Sequence, residues 1–192
     1  MIGKWHTRVP GSVLGGVAWS RFSVVMLKPD CLRRSLADEV LARIAAEGEV
    51  IARDTVTVQD WQIFVHYSDL LVDADWFTVD VVGYLRRCYI GKEVVIALVR
   101  GSGATTPARV RRLLGHYDPQ RAAAGTIRGD LGIDSQPNSR AENRLIENLV
   151  HSSDDDVAVC REFGTWFGAN RYKLVDPAPA PGTATNPMEA MS

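Results

Sequence analysis

Apolar and polar residues recur along the chain with two different periods, and the points where the period changes delimit a small set of elements. Phe22-Ser23-Val24-Val25-Met26-Leu27 is a mostly apolar, β-rich run suited to a central strand, and it stops at Pro29, which cannot donate to a ladder. Ser35 opens an S-x-x-D pattern with Asp38, after which Leu36, Val40, Leu41 and Ile44 keep helical spacing until Gly48. Val50 to Val58, with Thr55 and Thr57 interleaved, predicts a second strand. Asp60 is placed to cap a short helix through Trp61, Phe64 and Val65, and a further helix is predicted from Trp76 to Arg87. Val94-Val95-Ile96-Ala97-Leu98-Val99 is the clearest strand. Thr106-Pro107 pairs an N-cap with proline at the first helical position, opening a helix that ends at Gly115. From Ser139, with Glu142 three residues on, an additional helix is expected. Leu149-Val150 predicts a short strand, and Asp154 a cap for a last helix through Val157, Cys160, Phe163 and Phe167.

The resulting order, β-α-β-α-α-β-α-β-α, implies the α+β class: a ferredoxin-like βαββαβ antiparallel sheet with additional helices. Residues 1–20 hold little periodicity and are expected to form a flexible or late-docking extension. Residues 21–175 are expected to form one folded domain. The 176–192 tail, rich in Pro, Ala, Gly and Thr, has too little apolar surface to order itself.

Composition narrows the function classes. With 192 residues, 46% of them hydrophobic, the chain can bury a full core. Its formal net charge of −1 provides no global field for a polyanion, which argues against nucleic acid or an acidic membrane as the principal partner. No apolar run approaches the ~20 residues that span a bilayer, and a cytoplasmic location is expected. Cys31, Cys88 and Cys160 are widely spaced, with no CxxC pair, and read as reduced structural thiols.

Four histidines are candidates for chemistry. His6, in the extension, reads as a solvated side chain, His66 as packed in an apolar helix, and His116 as a helix-end residue favoured by the macrodipole. His151 differs, because it lies between a short buried-type strand and a helix start whose N–H groups attract anions. Lys28 follows the first strand, at the kind of strand end where ligands collect. Arg109, Arg111 and Arg112 share one helix. Arg128 lies in a turn framed by Gly125 and Gly129, which lets backbone approach a ligand closely. No GxxxxGK[ST] pattern occurs, so phosphates would be held by side chains. Imidazole near guanidinium suits transfer of a phosphoryl group onto nitrogen, since the arginine offsets charge on the phosphate.

Taken in order, Lys28-Pro29-Asp30, His66-Tyr67, Gly125-Thr126-Ile127-Arg128-Gly129-Asp130 and Asn148…His151-Ser152-Ser153-Asp154 resemble the nucleoside diphosphate kinase family over roughly residues 21–168. The resemblance implies transfer of the γ-phosphate of a nucleoside triphosphate to a nucleoside diphosphate. It further implies a ping-pong route through a phosphohistidine, Mg²⁺ carried on the nucleotide phosphates with no metal ligands from the protein, and a homo-oligomer. It casts His151 as nucleophile, Glu162 as partner of the second ring nitrogen, and Ser153 as support for that carboxylate. Lys28, Tyr67, Arg111, Arg128 and Asn148 match positions that hold the phosphates and sugar or steer the histidine, and Trp76 matches the aromatic on which the base stacks.

Three departures accompany the resemblance. Tyr117 stands where a threonine usually contacts phosphate, and its phenol is expected either to fill part of the pocket or to reach the phosphate from a shifted backbone. Ala74 stands near the usual place of a bracing arginine. About ten extra residues separate Arg128 from His151, in a stretch that in the family approaches base and sugar and lies close to subunit contacts. Two alternatives use the same residues: a nucleotide-binding or assembly scaffold with weak or no turnover, and phosphohistidine transfer to a specialised acceptor.

Overall fold

In the computed structural model the described residues are 16–72 and 80–175, so the readings at Ala74, Trp76 and the 176–192 tail lie outside them. Four strands, β1 (Phe22–Leu27), β2 (Glu49–Thr57), β3 (Glu93–Arg100) and β4 (Val150–Ser152), form one sheet. Among the described residues nine α-helices accompany them: α1 (Pro29–Arg33), α2 (Ala37–Ile44), α3 (Asp60–His66), α4 (Ser68–Val72), α5 (Val81–Tyr89), α6 (Thr106–Leu114), α7 (Ile127–Leu131), α8 (Gln136–Ala141) and α9 (Asp156–Trp166). The sheet order is β2-β3-β1-β4 with every pairing antiparallel, the ferredoxin-like arrangement expected.

The central strands β1 and β3 are apolar at nearly every position because both faces of the sheet are covered. Val24, Met26, Ile96 and Leu98 enter one core with Ile63 of α3, Leu85 of α5, and Val159 and Phe163 of α9. Their neighbours Val25, Leu27, Val95, Ala97 and Val99 enter a second core with Val40 and Ile44 of α2, and Val110 and Leu114 of α6. The sheet thus separates two hydrophobic layers, and a side chain's parity along a strand decides which layer it joins.

Local signals were redistributed in several places. Val17 and Trp19, read as part of a loose extension, are 0% and 4% exposed and belong to the first core. Pro29 ends β1 and also opens α1, where its missing N–H costs nothing. Ser35 does not cap α2: it adopts φ 55°, and Leu36 takes the cap position without a side-chain bond. The extra helix α8 starts earlier than Ser139, because Ser135 Oγ accepts from the Asn138 amide.

The extra stretch between Arg128 and His151 is pinned in place. Asp134, 8% exposed, accepts from two guanidinium nitrogens of Arg144 at 2.5 and 3.1 Å and from the Glu147 amide at 2.8 Å. Arg144 Nε also donates to Glu142 at 2.6 Å. A bidentate guanidinium–carboxylate pair with a third donor is a rigid joint, so α8 presents a fixed wall directly ahead of Asn148.

Candidate active site

His151 is the middle residue of β4 and pairs across the sheet with Met26. Because cross-strand partners share a face, its ring emerges on the Met26 side, where α3 and α9 pack. The last residue of α3, His66, and a residue in the second turn of α9, Glu162, meet it there.

His151 Nε2 lies 3.0 Å from Glu162 Oε1, and the Ser153 hydroxyl donates to Glu162 Oε2 at 2.6 Å. The Ser153 oxygen in turn accepts from the Val24 amide at 3.0 Å, which ties the carboxylate to the central strand. Glu162 is 1% exposed. With a carboxylate on Nε2, the imidazole carries its hydrogen there, so Nδ1 holds the lone pair. Nδ1 has no protein partner among the described residues. Burial, then the nearby Lys28, Arg111 and Arg128 charges, hold the His151 imidazole below its usual range, against an opposite pull from Asp154.

His66 packs its ring edge-on against His151, with centroids 4.4 Å apart, and its Nδ1 accepts from the Trp166 indole N–H at 3.1 Å. Burial lowers the His66 pKa to about 3, which keeps it neutral. His66, His151 and Glu162 bring potential ligand atoms within 4.8 Å of one another, a donor set suited to a transition metal. The Trp166 N–H already occupies the only lone pair of neutral His66, so the trio does not form a metal centre: His151 and Glu162 are hydrogen-bonded, and His66 packs against them through its ring. This agrees with the sequence reading of His66 as packed.

A cavity of about 650 Å³ opens in front of His151. Lys28, Tyr67, Arg111, Tyr117, Arg128 and Asn148 all line it, together with His151 and Glu162, so the predicted site residues within the described chain converge, apart from Ser153, which acts from behind the carboxylate. Lys28 Nζ donates to Asn148 Oδ1 at 2.8 Å, and Asn148 Nδ2 donates to the Tyr117 carbonyl at 2.8 Å. Asn148 therefore fixes the lysine and no hydrogen bond joins it to the histidine. Burial pulls the Lys28 pKa down, partly offset by Asp30. Arg128 spends three donors on the carbonyls of Val150 (2.7 Å), Gly115 (3.0 Å) and Asn148 (3.3 Å), which leaves two of its five N–H groups for a ligand. Arg111 forms an ion pair with Asp154 and donates to the Ser152 carbonyl at 3.4 Å.

Three sequence readings are corrected by this geometry. Gly129 does not open the turn to a ligand: a Cβ there would sit 2.1 Å from the Ala123 carbonyl oxygen, so the glycine is needed by the protein's own backbone. The N-terminus of α9 is not an anion site, because Asp155 caps it by accepting from the Ala158 amide at 2.9 Å and Asp154 and Asp156 flank it. His116 closes a turn by accepting the Asp118 amide at 3.0 Å through Nδ1, while the α6 helix ends on Gly115 at φ 82°. Tyr117 lines the cavity, is 45% exposed and stacks on His116 with centroids 4.6 Å apart.

Sequence reasoning assigned no role to Asp30 or Tyr89. Asp30 Oδ2 accepts the Leu149 amide at 2.8 Å and so holds Leu149 at φ 70°, a conformation costing a bulky side chain ~1–3 kcal/mol, two residues before His151. The only signal for this was the Asp30 carboxylate immediately after Lys28-Pro29.

In the phosphoryl transfer that the resemblance implies, Glu162→Gln should lower the rate by ~10²-fold at nearly unchanged nucleotide KM, because a neutral amide orients the ring without stabilising the charge that develops on it. Steady-state kinetics with folded protein checks this; a wild-type kcat would remove Glu162 from the mechanism.

The family model described as nucleoside diphosphate kinase matches residues 22–172. A nucleoside diphosphate kinase of Nocardia farcinica is 36% identical over 147 residues, covering 76% of this chain and 93% of that protein. One from Mycobacteroides abscessus is 34% identical over 149 residues, covering 77% and 96%. Among solved structures, a transition-state mimic of the Borrelia burgdorferi nucleoside-diphosphate kinase with bound vanadate and ADP superposes with a TM-score of 0.69 at 28% identity, over 78% of this chain and 88% of that one. An NDP kinase from Pyrobaculum aerophilum gives 0.66 at 28% identity, over 81% and 98%. With its matching fold, its converging site and relatives that it spans nearly end to end, the chain belongs to the nucleoside diphosphate kinase family.

Proposed function

We propose that this protein moves the γ-phosphoryl group of a nucleoside triphosphate to a nucleoside diphosphate, with His151 Nδ1 as the atom that receives and returns it. The observation that carries the reading is the Glu162 contact on Nε2. It leaves the opposite nitrogen as a neutral nucleophile on a ring that lines a cavity walled by Lys28, Arg111 and Arg128. In the forward half-reaction the Nδ1 lone pair attacks the γ-phosphorus, the bond to the β,γ-bridging oxygen breaks, and the nucleoside diphosphate leaves with those electrons. Positive charge on the phosphorylated ring is shared with Glu162, whose carboxylate Ser153 supports. The three cations offset charge on the phosphoryl oxygens. The second half-reaction reverses these steps with a new diphosphate. Lys28, Tyr67, Arg111, Arg128 and Asn148 are assigned to the phosphates and sugar, Tyr117 to the rim, and Trp76 to the base.

Mg²⁺ fits this site as part of the nucleotide. The cavity's three carboxylates are all engaged, Asp69 with Arg161, Asp154 with Arg111, and Glu162 with His151 and Ser153, which leaves phosphate oxygens as its ligands. Bound there, the ion would neutralise phosphate charge. Residues 21–175, extended by the buried Val17 and Trp19, form the catalytic unit in this reading, and family membership supports a homo-oligomer, which sedimentation would test. Free Cys31, Cys88 and Cys160 fit a reducing cytoplasm.

The decisive experiment incubates the protein with γ-labelled ATP and Mg²⁺, traps acid-labile label, and chases with nucleoside diphosphates. Label that forms and transfers is the expected result. Label that stays on the protein would indicate another acceptor, and folded protein without label would make it a binding scaffold.

The reaction's pH dependence follows from the histidine. A pKa held below the ordinary 6.5 keeps the neutral, nucleophilic ring at lower pH, so single-turnover phosphorylation should keep its rate through the range in which an ordinary histidine protonates and lose it only at more acid pH. An acid limb centred near 6.5 would contradict the burial argument.

A further inference from the structure

Tyr67 follows α3, and its ring stands 5.6 Å from the His151 ring and 4.6 Å from His66, nearly perpendicular to both. Its hydroxyl lies 3.1 Å from that of Tyr89, the last residue of α5. Tyr89 is 3% exposed, and both tyrosines line the cavity in front of the nucleophile. Two hydroxyls share one hydrogen bond, so one hydrogen remains to be placed. If Tyr67 donates, the Tyr89 hydrogen is left inside the protein with no partner among the described residues, and an unmade bond at a buried donor is costly. If Tyr89 donates, its hydrogen is satisfied and the remaining one belongs to Tyr67, the less buried phenol and the one whose ring faces His151. The second arrangement is favoured.

We propose that Tyr89 is a positioning residue for phosphoryl transfer: its phenol donates to the Tyr67 hydroxyl, which aims the Tyr67 hydrogen at an oxygen of the phosphoryl group in transit. The pair also polarises itself, since an oxygen that accepts one hydrogen bond donates its own hydrogen more strongly. Both phenols remain protonated at neutral pH because burial pushes their pKa values up, so each can act as a donor. Tyr89 touches neither substrate nor nucleophile in this role. It acts only through Tyr67, by joining the end of α5 to the residue that closes α3.

The inference rests on phosphotransfer through His151, and its test is a double-mutant cycle read by single-turnover phosphorylation and steady-state kinetics on the full chain. Tyr89→Phe should lower kcat about fivefold to tenfold with nucleotide KM unchanged. In a Tyr67→Phe background the same substitution should have no further effect. Tyr89→Met, which removes the hydroxyl by a different route, should reproduce the loss in the first background and its absence in the second. A merely structural role predicts a raised KM and equal losses in both backgrounds. That pattern, or wild-type kcat in Tyr89→Phe, overturns the proposal. Absence of label on folded wild-type protein would instead overturn the functional reading, so the two failures are distinguishable.

Discussion

His151→Ala should abolish phosphoryl transfer, with kcat falling by about 10⁴-fold or more and no acid-labile label on the protein. The expectation is this large because no other group in the cavity can take over. His66 is the nearest imidazole, but its Nδ1 lone pair is engaged by Trp166, and its other nitrogen is fully buried. Tyr67 and Tyr89 are neutral phenols whose pKa values burial pushes upward, so neither supplies a phenolate. Lys28 is committed to Asn148, to whose side-chain oxygen it donates. Removing His151 also takes the hydrogen-bond partner from the buried Glu162 Oε1, a change that affects stability as well as chemistry. His151→Gln separates the two effects, because its amide can still donate to Glu162 while offering no nucleophile. Transfer retained in a folded His151→Gln protein would place the reaction on another residue.

Arg128→Ala should reduce kcat/KM by ~10³-fold and also lower stability by about 2–4 kcal/mol, seen as a lower urea midpoint. Two losses are combined. The phosphoryl group loses a cation, and the carbonyls of Gly115, Asn148 and Val150 lose the one guanidinium that satisfies all three. These carbonyls belong to the end of α6, the approach to β4 and β4 itself, so Arg128 joins the segments that carry the site. Burial lowers its pKa to about 10, which still leaves it cationic at neutral pH. Arg128→Lys should restore part of the activity and little of the stability, because an ammonium supplies a charge without the planar fork that spans three acceptors. Full stability in Arg128→Ala would show that the carbonyl bonds contribute nothing net.

Much of the fold is legible in the sequence, for identifiable reasons. The unbroken apolar runs at 22–27 and 94–99 can be stable only between two covered faces, and they became the two central strands. Thr106-Pro107 and Gly115 bounded α6 because proline at a helix start and glycine at its end are backbone preferences that act locally. Ser35 and Ser139 looked like caps by spacing, yet packing of the neighbouring turns assigned the cap positions to Leu36 and Ser135. Cap spacing is a weak, short-range preference, and one well-packed helix face outweighs it.

The candidate site divides along the same line. Residue types and their places on predicted elements pointed to His151, Lys28 and Arg128, because an imidazole beside cations suits phosphoryl transfer to nitrogen, whereas Glu162, Ser153, Tyr67, Arg111 and Asn148 came only with the family resemblance. What each residue touches was decided only by tertiary structure. Arg128 divides its donors between backbone and cavity, Asn148 holds Lys28 and not the histidine, and Gly129 yields to the Ala123 carbonyl. Tyr89, 22 residues from Tyr67, meets it through a 3.1 Å hydroxyl contact and a tilted ring pair with centroids 5.9 Å apart. Hydrogen-bond partners over such separations depend on how helices settle on the sheet, to within a fraction of an ångström. Elements follow from periodicity and the chemistry on offer from side-chain type and motif order, both legible along the chain; the pairing of those side chains waited for the packing.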